Sequence, residues 1–457
     1  MAFSHGPMLF IDDFFIAESS NVIRKINSPP REFAKPLLTG PEDKTCQPYM
    51  TVLRDEKTGR FRIWYNASDA KNSNLGHMES DDGIHWLRPH QTLGNVPHVN
   101  FGATVIDEAE NFFGATVVDE GRKFSDPGSR FKFAVHFQKP GENRGLMLAH
   151  SADGLKWMAN AEHAIVTNDF NDILTLIRDG ARSRYLIVHG FPSHSEDGYT
   201  GHTQNSSEGY RRCVGQIESK DFVHWSKPHR IFAPDKKDEG ITEFYSVGGI
   251  VPRGEMLVGL LKVLRDDLPC DDGGKVDGIG YTVLVWTHDG EHWERDREPF
   301  FDRDHTKNSW DHAMAWMDFQ TLVGDDVYIY YGGYARGHKV ERNTERQIGM
   351  VRMKRDRYVA READARGGIL RTKIFQFDAN GISLNLDASQ GEARVQIEDA
   401  NGKPMRHFHF ADCAPMKVDS VNAPANWKHS LSSLKGKPVR LAIELKNARL
   451  FAVNFSR

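Results

Sequence analysis

The 457-residue chain is poor in cysteine, has no long apolar run and carries no excess of one charge sign, and each shortage removes a class of protein. Its four cysteines (Cys46, Cys213, Cys270, Cys413) stand far apart with no paired spacing, which leaves neither a disulfide framework nor a cysteine-based metal ribbon. They read as free thiols. No stretch of about 18 apolar residues exists to cross a bilayer as a helix. The net charge of −4 supplies no basic footprint for nucleic acid and no acidic tail. The opening Met1-Ala2-Phe3-Ser4-His5-Gly6-Pro7 lacks the charged and apolar regions of a secretory signal, so the expected location is cytoplasmic, or outside the cell if the N-terminus is a trimmed one. Helical periodicity is scarce throughout.

What the chain has in abundance is one repeated phrase. Ser80-Asp81-Asp82-Gly83-Ile84-His85-Trp86 returns as Ser151-Ala152-Asp153-Gly154-Leu155-Lys156-Trp157, as Ser219-Lys220-Asp221-Phe222-Val223-His224-Trp225 and as Thr287-His288-Asp289-Gly290-Glu291-His292-Trp293. The tryptophans fall 71, 68 and 68 residues apart. A hydroxyl, an Asp two residues later and a Trp four beyond that predict a tight turn whose aromatic packs against the next unit. Self-similarity at a fixed period marks a repeat architecture.

Ahead of each Trp, runs of β-branched and aromatic residues bounded by Gly, Pro and Asp give three strands per unit. Phe61-Arg62-Ile63-Trp64-Tyr65 and Tyr185 to His189 are examples. A fifth unit lacks the Trp and ends at the turn Arg355-Asp356-Arg357. Four-stranded units repeated about an axis make a β-propeller. The sequence therefore predicts an all-β protein: a five-bladed β-propeller over residues 1–362, followed by a β-sandwich over 363–457. The strand Met8 to Ala17 is placed to complete the last blade and close the ring, or to lie as a packed arm. The near duplicates Asn100-Phe101-Gly102-Ala103-Thr104-Val105 and Asn111-Phe112-Phe113-Gly114-Ala115-Thr116-Val117 both qualify as the first strand of the second blade.

In a propeller the first strands of all blades begin at one rim of the channel. Polar residues at those starts are Glu42 and Asp43, Asn111, Asn171 and Asp172, Glu243, and Asp311 with His312. Converging carboxylates suit glycoside chemistry, with a separation of about 5–5.5 Å for retention and about 6.5–9.5 Å for inversion. Glu243, flanked by Ile241, Phe244 and Tyr245, is the expected general acid; a strand-edge Glu in a salt bridge is the plainer reading. Asp172 and Glu42 are candidates for base, nucleophile or sugar clamp. Asp43, Asn171, Tyr245, Trp310, Asp311, His312, Arg336 and His338 would bind sugar hydroxyls and faces, although Trp310 also suits blade packing. The 21 histidines include one His-x-x-x-His, His288 to His292, which spans a turn rather than a helix. No metal or other cofactor is expected from these spacings.

The unit order and three stretches resemble the fructosidase clan of glycoside hydrolases (families 32 and 68, with relatives in family 43), and more narrowly bacterial family-32-like proteins. The stretches are Leu9-Phe10-Ile11-Asp12-Asp13-Phe14-Phe15-Ile16, the Ser-x-Asp-Gly-x-x-Trp turns, and the tail from Gly402-Lys403-Pro404 to Asp412-Cys413 with Gly436-Lys437-Pro438-Val439-Arg440-Leu441. The resemblance implies the propeller–sandwich fold and glycoside chemistry. The clan's Asn-Asp-Pro-Asn, Arg-Asp-Pro and Glu-Cys motifs are absent; Glu243 matches the last with Phe244 in place of Cys. Asp126-Pro127 looks like part of a sucrase-type motif but falls where a hairpin turn is due. The Asp turns are also similar to those of sialidase propellers, without an arginine triad. The expected function is an exo-acting glycoside hydrolase on a short glycan or glycoside, furanosides among them. A non-catalytic carbohydrate-binding propeller is the alternative, and a protein-interaction propeller the third.

Overall fold

The computed structural model describes residues 6–38, 46–68, 73–87, 111–138, 144–159, 165–166, 170, 173–194, 210–338 and 346–456. They form an all-β protein of six sheets, one of which, with seven strands, spans two neighbouring units. Five such units follow one another along the chain. The first holds Cys46–Arg54, Phe61–Ser68 and Ser73–Ser80, and the second Asn111–Asp119, Phe131–Gln138 and Arg144–Ser151 with two short outer strands. The third holds Leu174–Asp179, Arg184–His194, Tyr210–Ser219 and His229–Phe232. The fourth is Thr242–Arg253, Met256–Arg265, Ile279–Thr287 and Trp293–Arg295, and the fifth Met314–Val323, Asp326–Tyr334 and Arg346–Lys354. The first strands of these units pack in a closed cycle, each against the next and the fifth against the first. That is a five-bladed propeller. Of the two near duplicates, the one at Asn111 is the first strand of the second blade; residues 100–105 lie outside the described residues.

Each blade is covered on both faces by its neighbours, so strands such as Met256–Arg265 are buried along nine of ten residues and read as continuous apolar runs. Four of the five first strands change register near their start: at Gln47/Met50, Phe113/Thr116, Phe244/Val247 and Met317/Phe319. A bulge bends a strand and re-aims its side chains. Here it does so at one rim.

The repeated phrase folds as its chemistry requires. In the first copy Ser80 Oγ donates to Asp82 Oδ1 at 3.0 Å and accepts from Gly83 N at 2.9 Å. Asp82 Oδ1 also accepts from the backbone of Ile84 and His85, both at 2.8 Å, while Oδ2 meets His85 Nδ1 at 2.7 Å. The other copies repeat the pattern. The residue after the Asp is left-handed each time, at φ 77°, 75° and 77° for Gly83, Gly154 and Gly290 and 66° for Phe222. Glycine adopts that conformation freely. Its carbonyl then serves the preceding blade: Tyr330 Oη donates to Gly83 O, Trp64 Nε1 to Gly154 O and Gln216 Nε2 to Gly290 O, at 2.8, 2.8 and 3.0 Å. Two of the tryptophans face the same way, Trp86 against Tyr330 and Trp293 against Phe232, with the Trp293 indole donating to Gln216 Oε1. These two pack on the preceding unit, not the next one, while Trp157 meets Phe133 and Trp225 meets Phe222 within their own units. Asp126-Pro127 is a turn as expected, with Asp126 capping a 3-10 turn over Pro127–Ser129.

Two further sheets enclose one core of Phe10, Leu370, Leu384, Val395, Leu441 and Val453, which makes a β-sandwich. They draw on both ends of the chain. Met8–Leu9 pairs with Ala448–Ser456, Ile16–Ser20 with Gly368–Thr372, and Ile23–Ile26 with Val359–Ala363. The opening strand expected to close the ring therefore belongs to the sandwich, as does the segment from Val359. The last blade is completed instead by Leu37 and Leu38, which bond to Ile348. An apolar strand carries no mark of its partner, and the longer run lost to the short one beside the ring. Leu9, Ile11, Tyr358 and Ala452 share a core with Val258, Leu284 and Tyr331, so the sandwich is fused to the fourth and fifth blades.

Lys262 and Asp318 form a buried ion pair at the ring, and Asp318 Oδ2 also accepts from Met50 N at 2.5 Å. Three blades meet there. Breaking a buried pair on one side leaves an uncompensated charge, so Asp318→Asn should lose about 3–5 kcal/mol in urea unfolding. A Lys262→Met/Asp318→Leu double variant should recover much of it.

The Asp turns make stability pH-dependent. Partial burial acts to raise the Asp82 and Asp289 carboxyls, but the hydrogen bonds from His85 and His292 outweigh it; for Asp221 the His224 bond is the largest influence. All three sit well below the usual 3.8. A folded-state value below the unfolded one gives stability that is present above pH 3.8 and lost as pH falls towards the folded value. His292 is raised by its bond to Asp289, so its contribution fades as pH rises through that higher value. Asp289→Asn should flatten both limbs of a plot of unfolding midpoint against pH.

Candidate functional site

At the bulged rim a buried aromatic cluster, the floor of the candidate site, is assembled from four blades. Tyr49 comes from the first strand of blade one, Ile173 from just ahead of blade three, Tyr245 and Leu264 from blade four, and Ala313, Met314, Trp316 and Tyr334 from blade five. Tyr245 lies 4.8 Å from Trp316 between ring centroids, and His338 stands edge-on to Tyr245 at 5.0 Å. The Arg212 guanidinium lies 4.3 Å above the Tyr245 ring. Glu243, two residues before Tyr245 on the same strand, is 1% exposed, and its Oε1 accepts from Arg212 N at 3.1 Å. Trp316 is fixed by donating Nε1 to Val263 O at 2.9 Å, and His338 by donating its backbone N to Asp277 O at 2.8 Å.

The structure thus brings together Glu243, Tyr245 and His338 from the sequence expectation. Glu42, Asp43, Asn171 and Asp172 lie outside the described residues. Trp310 is elsewhere: its ring packs on Tyr331 at 5.1 Å and over Gly333 and Gly349, where a β-carbon would collide with it. Asp311 is occupied by Arg31 Nε at 2.9 Å, Ser309 Oγ at 2.7 Å and Tyr331 Oη at 3.1 Å, which gives it a tie between chain segments rather than a free face for sugar. His312 faces Asp271 and the Asp304 carbonyl. Arg336 is exposed, and its carbonyl accepts from Cys270 Sγ at 3.7 Å.

The sequence reading missed Arg212, Trp316 and Tyr334. In an antiparallel blade the starts of the first and third strands and the end of the second all reach one rim. Arg211-Arg212 open the third strand of blade three, and Tyr334, Arg336 and His338 end the second strand of blade five or follow it. Charged pairs at such positions, ahead of apolar runs, were the available signal.

Chemically, the strand that carries the buried Glu243 carboxylate also carries Tyr245, whose ring meets the Arg212 guanidinium and the His338 imidazole, and groups of these kinds can hold hydroxyls and move a proton. No protein-family model matches the chain, and no curated protein does. Among solved structures it is similar to an N-acetylgalactosamine deacetylase from F. plautii in complex with blood group B trisaccharide (15% identity, 74% of this chain and 97% of that one, TM-score 0.46). A second comes from work on the GH130 family of mannoside phosphorylases and its glycoside hydrolases targeting β-1,2 mannosidic linkages in Candida mannan (14%, 76% and 97%, TM-score 0.49). A third is a glycosyl hydrolase from Bacteroides ovatus (13%, 72% and 94%, TM-score 0.48). Their descriptions differ in reaction, so the likeness selects none for this chain.

The packing of Trp310 gives a direct check. Trp310→Ala should cost about 3 kcal/mol in urea unfolding, the scale of a large aromatic truncation. Any sugar affinity should stay unchanged in the folded variant.

Proposed function

We propose that the protein is a glycoside hydrolase that works at this rim, with Glu243 as the general acid. The single observation that carries the reading is a carboxylate 1% exposed at the start of a first strand, set against an aromatic floor contributed by separate blades. A sugar presents apolar ring faces, which suit Tyr245 and its neighbours, and hydroxyls, which suit Arg212 and His338. Glu243 then donates its proton to the leaving glycosidic oxygen as the anomeric bond breaks. Asp172 or Glu42 is proposed as the second carboxylate, attacking the anomeric carbon or taking a proton from water. Exo action on a short glycan, furanosides included, remains part of the proposal.

The Glu243 Oε1 bond to Arg212 N favours a second reading, in which the carboxylate only positions that strand and the rim binds carbohydrate without turnover. One experiment separates the two. Wild type and Glu243→Gln are assayed side by side on a panel of aryl α- and β-glycosides, furanosides included, with binding followed calorimetrically. The hydrolase predicts a fall in kcat of about 10²–10⁴-fold in the variant with ligand affinity retained. Equal turnover in both removes Glu243 from its role. Sugar binding without turnover in wild type selects the binding module.

A further inference from the structure

We propose that Cys270, Asp271 and His312 hold a divalent transition-metal ion, zinc by the chemistry of the donors, at the edge of the aromatic floor. Cys270 Sγ, an Asp271 carboxylate oxygen and a ring nitrogen of His312 all lie within 4.8 Å of one another. They come from two places in the chain: the loop after Met256–Arg265 in blade four and the residues just before Met314–Val323 in blade five.

The orientation of His312 carries the argument. The residue is 5% exposed, with Nδ1 2.9 Å from the Asp304 carbonyl and Nε2 3.0 Å from Asp271 Oδ1. A carbonyl oxygen can only accept, so Nδ1 holds a proton. In the neutral ring Nε2 is then a lone pair, and it faces an oxygen that is also an acceptor. Two acceptors face to face need a positive charge between them, either a second ring proton or a cation. A third potential ligand, Cys270 Sγ, faces the same space. Imidazole, carboxylate and thiolate together are zinc ligands, and a ring Nδ1–H held on a backbone carbonyl is the usual outer support of a metal-bound histidine. The thiolate argues against magnesium or calcium.

The surroundings hold the set in register. Arg303 Nη1 donates to the carbonyls of both Cys270, at 3.2 Å, and His312, at 2.8 Å, which clamps the two ligand-bearing segments together. With no ion, the Cys270 thiol donates to the Arg336 carbonyl. Metal binding releases that proton to solvent as the sulfur–metal bond forms. Three protein donors leave a position for water or a hydroxyl. Because Cys270 packs against the cluster holding Tyr245, Trp316 and Tyr334, that position borders the floor. The ion site stands independently of the glycoside reading.

The test uses the full chain, stripped with a chelator and then titrated with Zn²⁺ or Co²⁺. The expected result is one ion retained per chain after desalting, with a thiolate-to-cobalt charge-transfer band. Cys270→Ser should lose that band, and Asp271→Asn should weaken zinc binding by at least about 10-fold. Both substitutions fall at partly exposed rim positions, and unfolding curves establish that the variants are folded. A folded wild type that retains no ion overturns the proposal. Zinc affinity and cobalt spectrum unchanged in the Cys270→Ser/Asp271→Asn double variant overturn it equally, by placing the metal elsewhere among the histidines.

Discussion

The ring depends on a charge pair that has left water. Lys262 is 1% exposed and Asp318 7%, and they belong to the second strand of blade four and the first strand of blade five. Asp318 sits at the register shift between Met317 and Phe319, so the bulge that removes it from the regular ladder also turns it towards Lys262 and the Met50 amide of blade one. A propeller has no covalent seam, and its last blade must find its first. Hydroxyls bridge three of the other four junctions: Val117 N to Thr51 Oγ1 at 3.0 Å, Leu176 N to Thr116 Oγ1 at 2.7 Å, and Met317 N to Thr282 Oγ1 at 2.9 Å. These neutral bonds are worth less than the charged one at the seam. At the seam itself the link is the Met50 amide on the Asp318 carboxylate, which the Lys262 pair holds in place. Because Lys262 also lies 5.1 Å from the ring centroid of Tyr49, the same pair fixes one wall of the aromatic floor.

How much of this was legible follows from how far each interaction reaches along the chain. The Asp turns satisfy themselves within six residues, so their sequence states their geometry, and the period states the number of blades that carry them. The direction in which they pack was hidden, because Tyr330 and Gly83 are 247 residues apart. The expected strand from Met8 to Ala17 is two short strands, Met8–Leu9 and Ile16–Ser20, in different sheets, and alternation specifies a buried face and not a partner. The pairing of Met8 and Leu9 with Val453 and Ala452 could not be read. At the rim, Glu243 and Tyr245 were found because they sit at the start of a first strand. Arg212 and Trp316 were not: one opens a third strand, and the other looked like ordinary blade core. Trp310 and Asp311 looked functional because a polar residue beside an aromatic has the same letters whether it faces a channel or a neighbouring segment.

The rim joins two kinds of chemistry on one floor. The aromatic rings are drawn from separate blades, buried at 1–5% exposure and held by bonds such as Trp316 Nε1 to Val263 O. Ionisable groups then enter from strand ends above them, where local changes of sequence alter chemistry without disturbing the ring.

The sandwich has a consequence for the order of events during synthesis. Residues 8–26 leave the ribosome before the five blades, but their hydrogen-bonding partners at Val359–Ala363, Gly368–Thr372 and Ala448–Ser456 are made after them. The opening segment must therefore wait through the production of all five blades. Leu37 and Leu38, the completing strand of blade five, follow only a few residues after Ile23–Ile26 and wait as well. Residues 8–38 thus tie completion of the sandwich to completion of blade five.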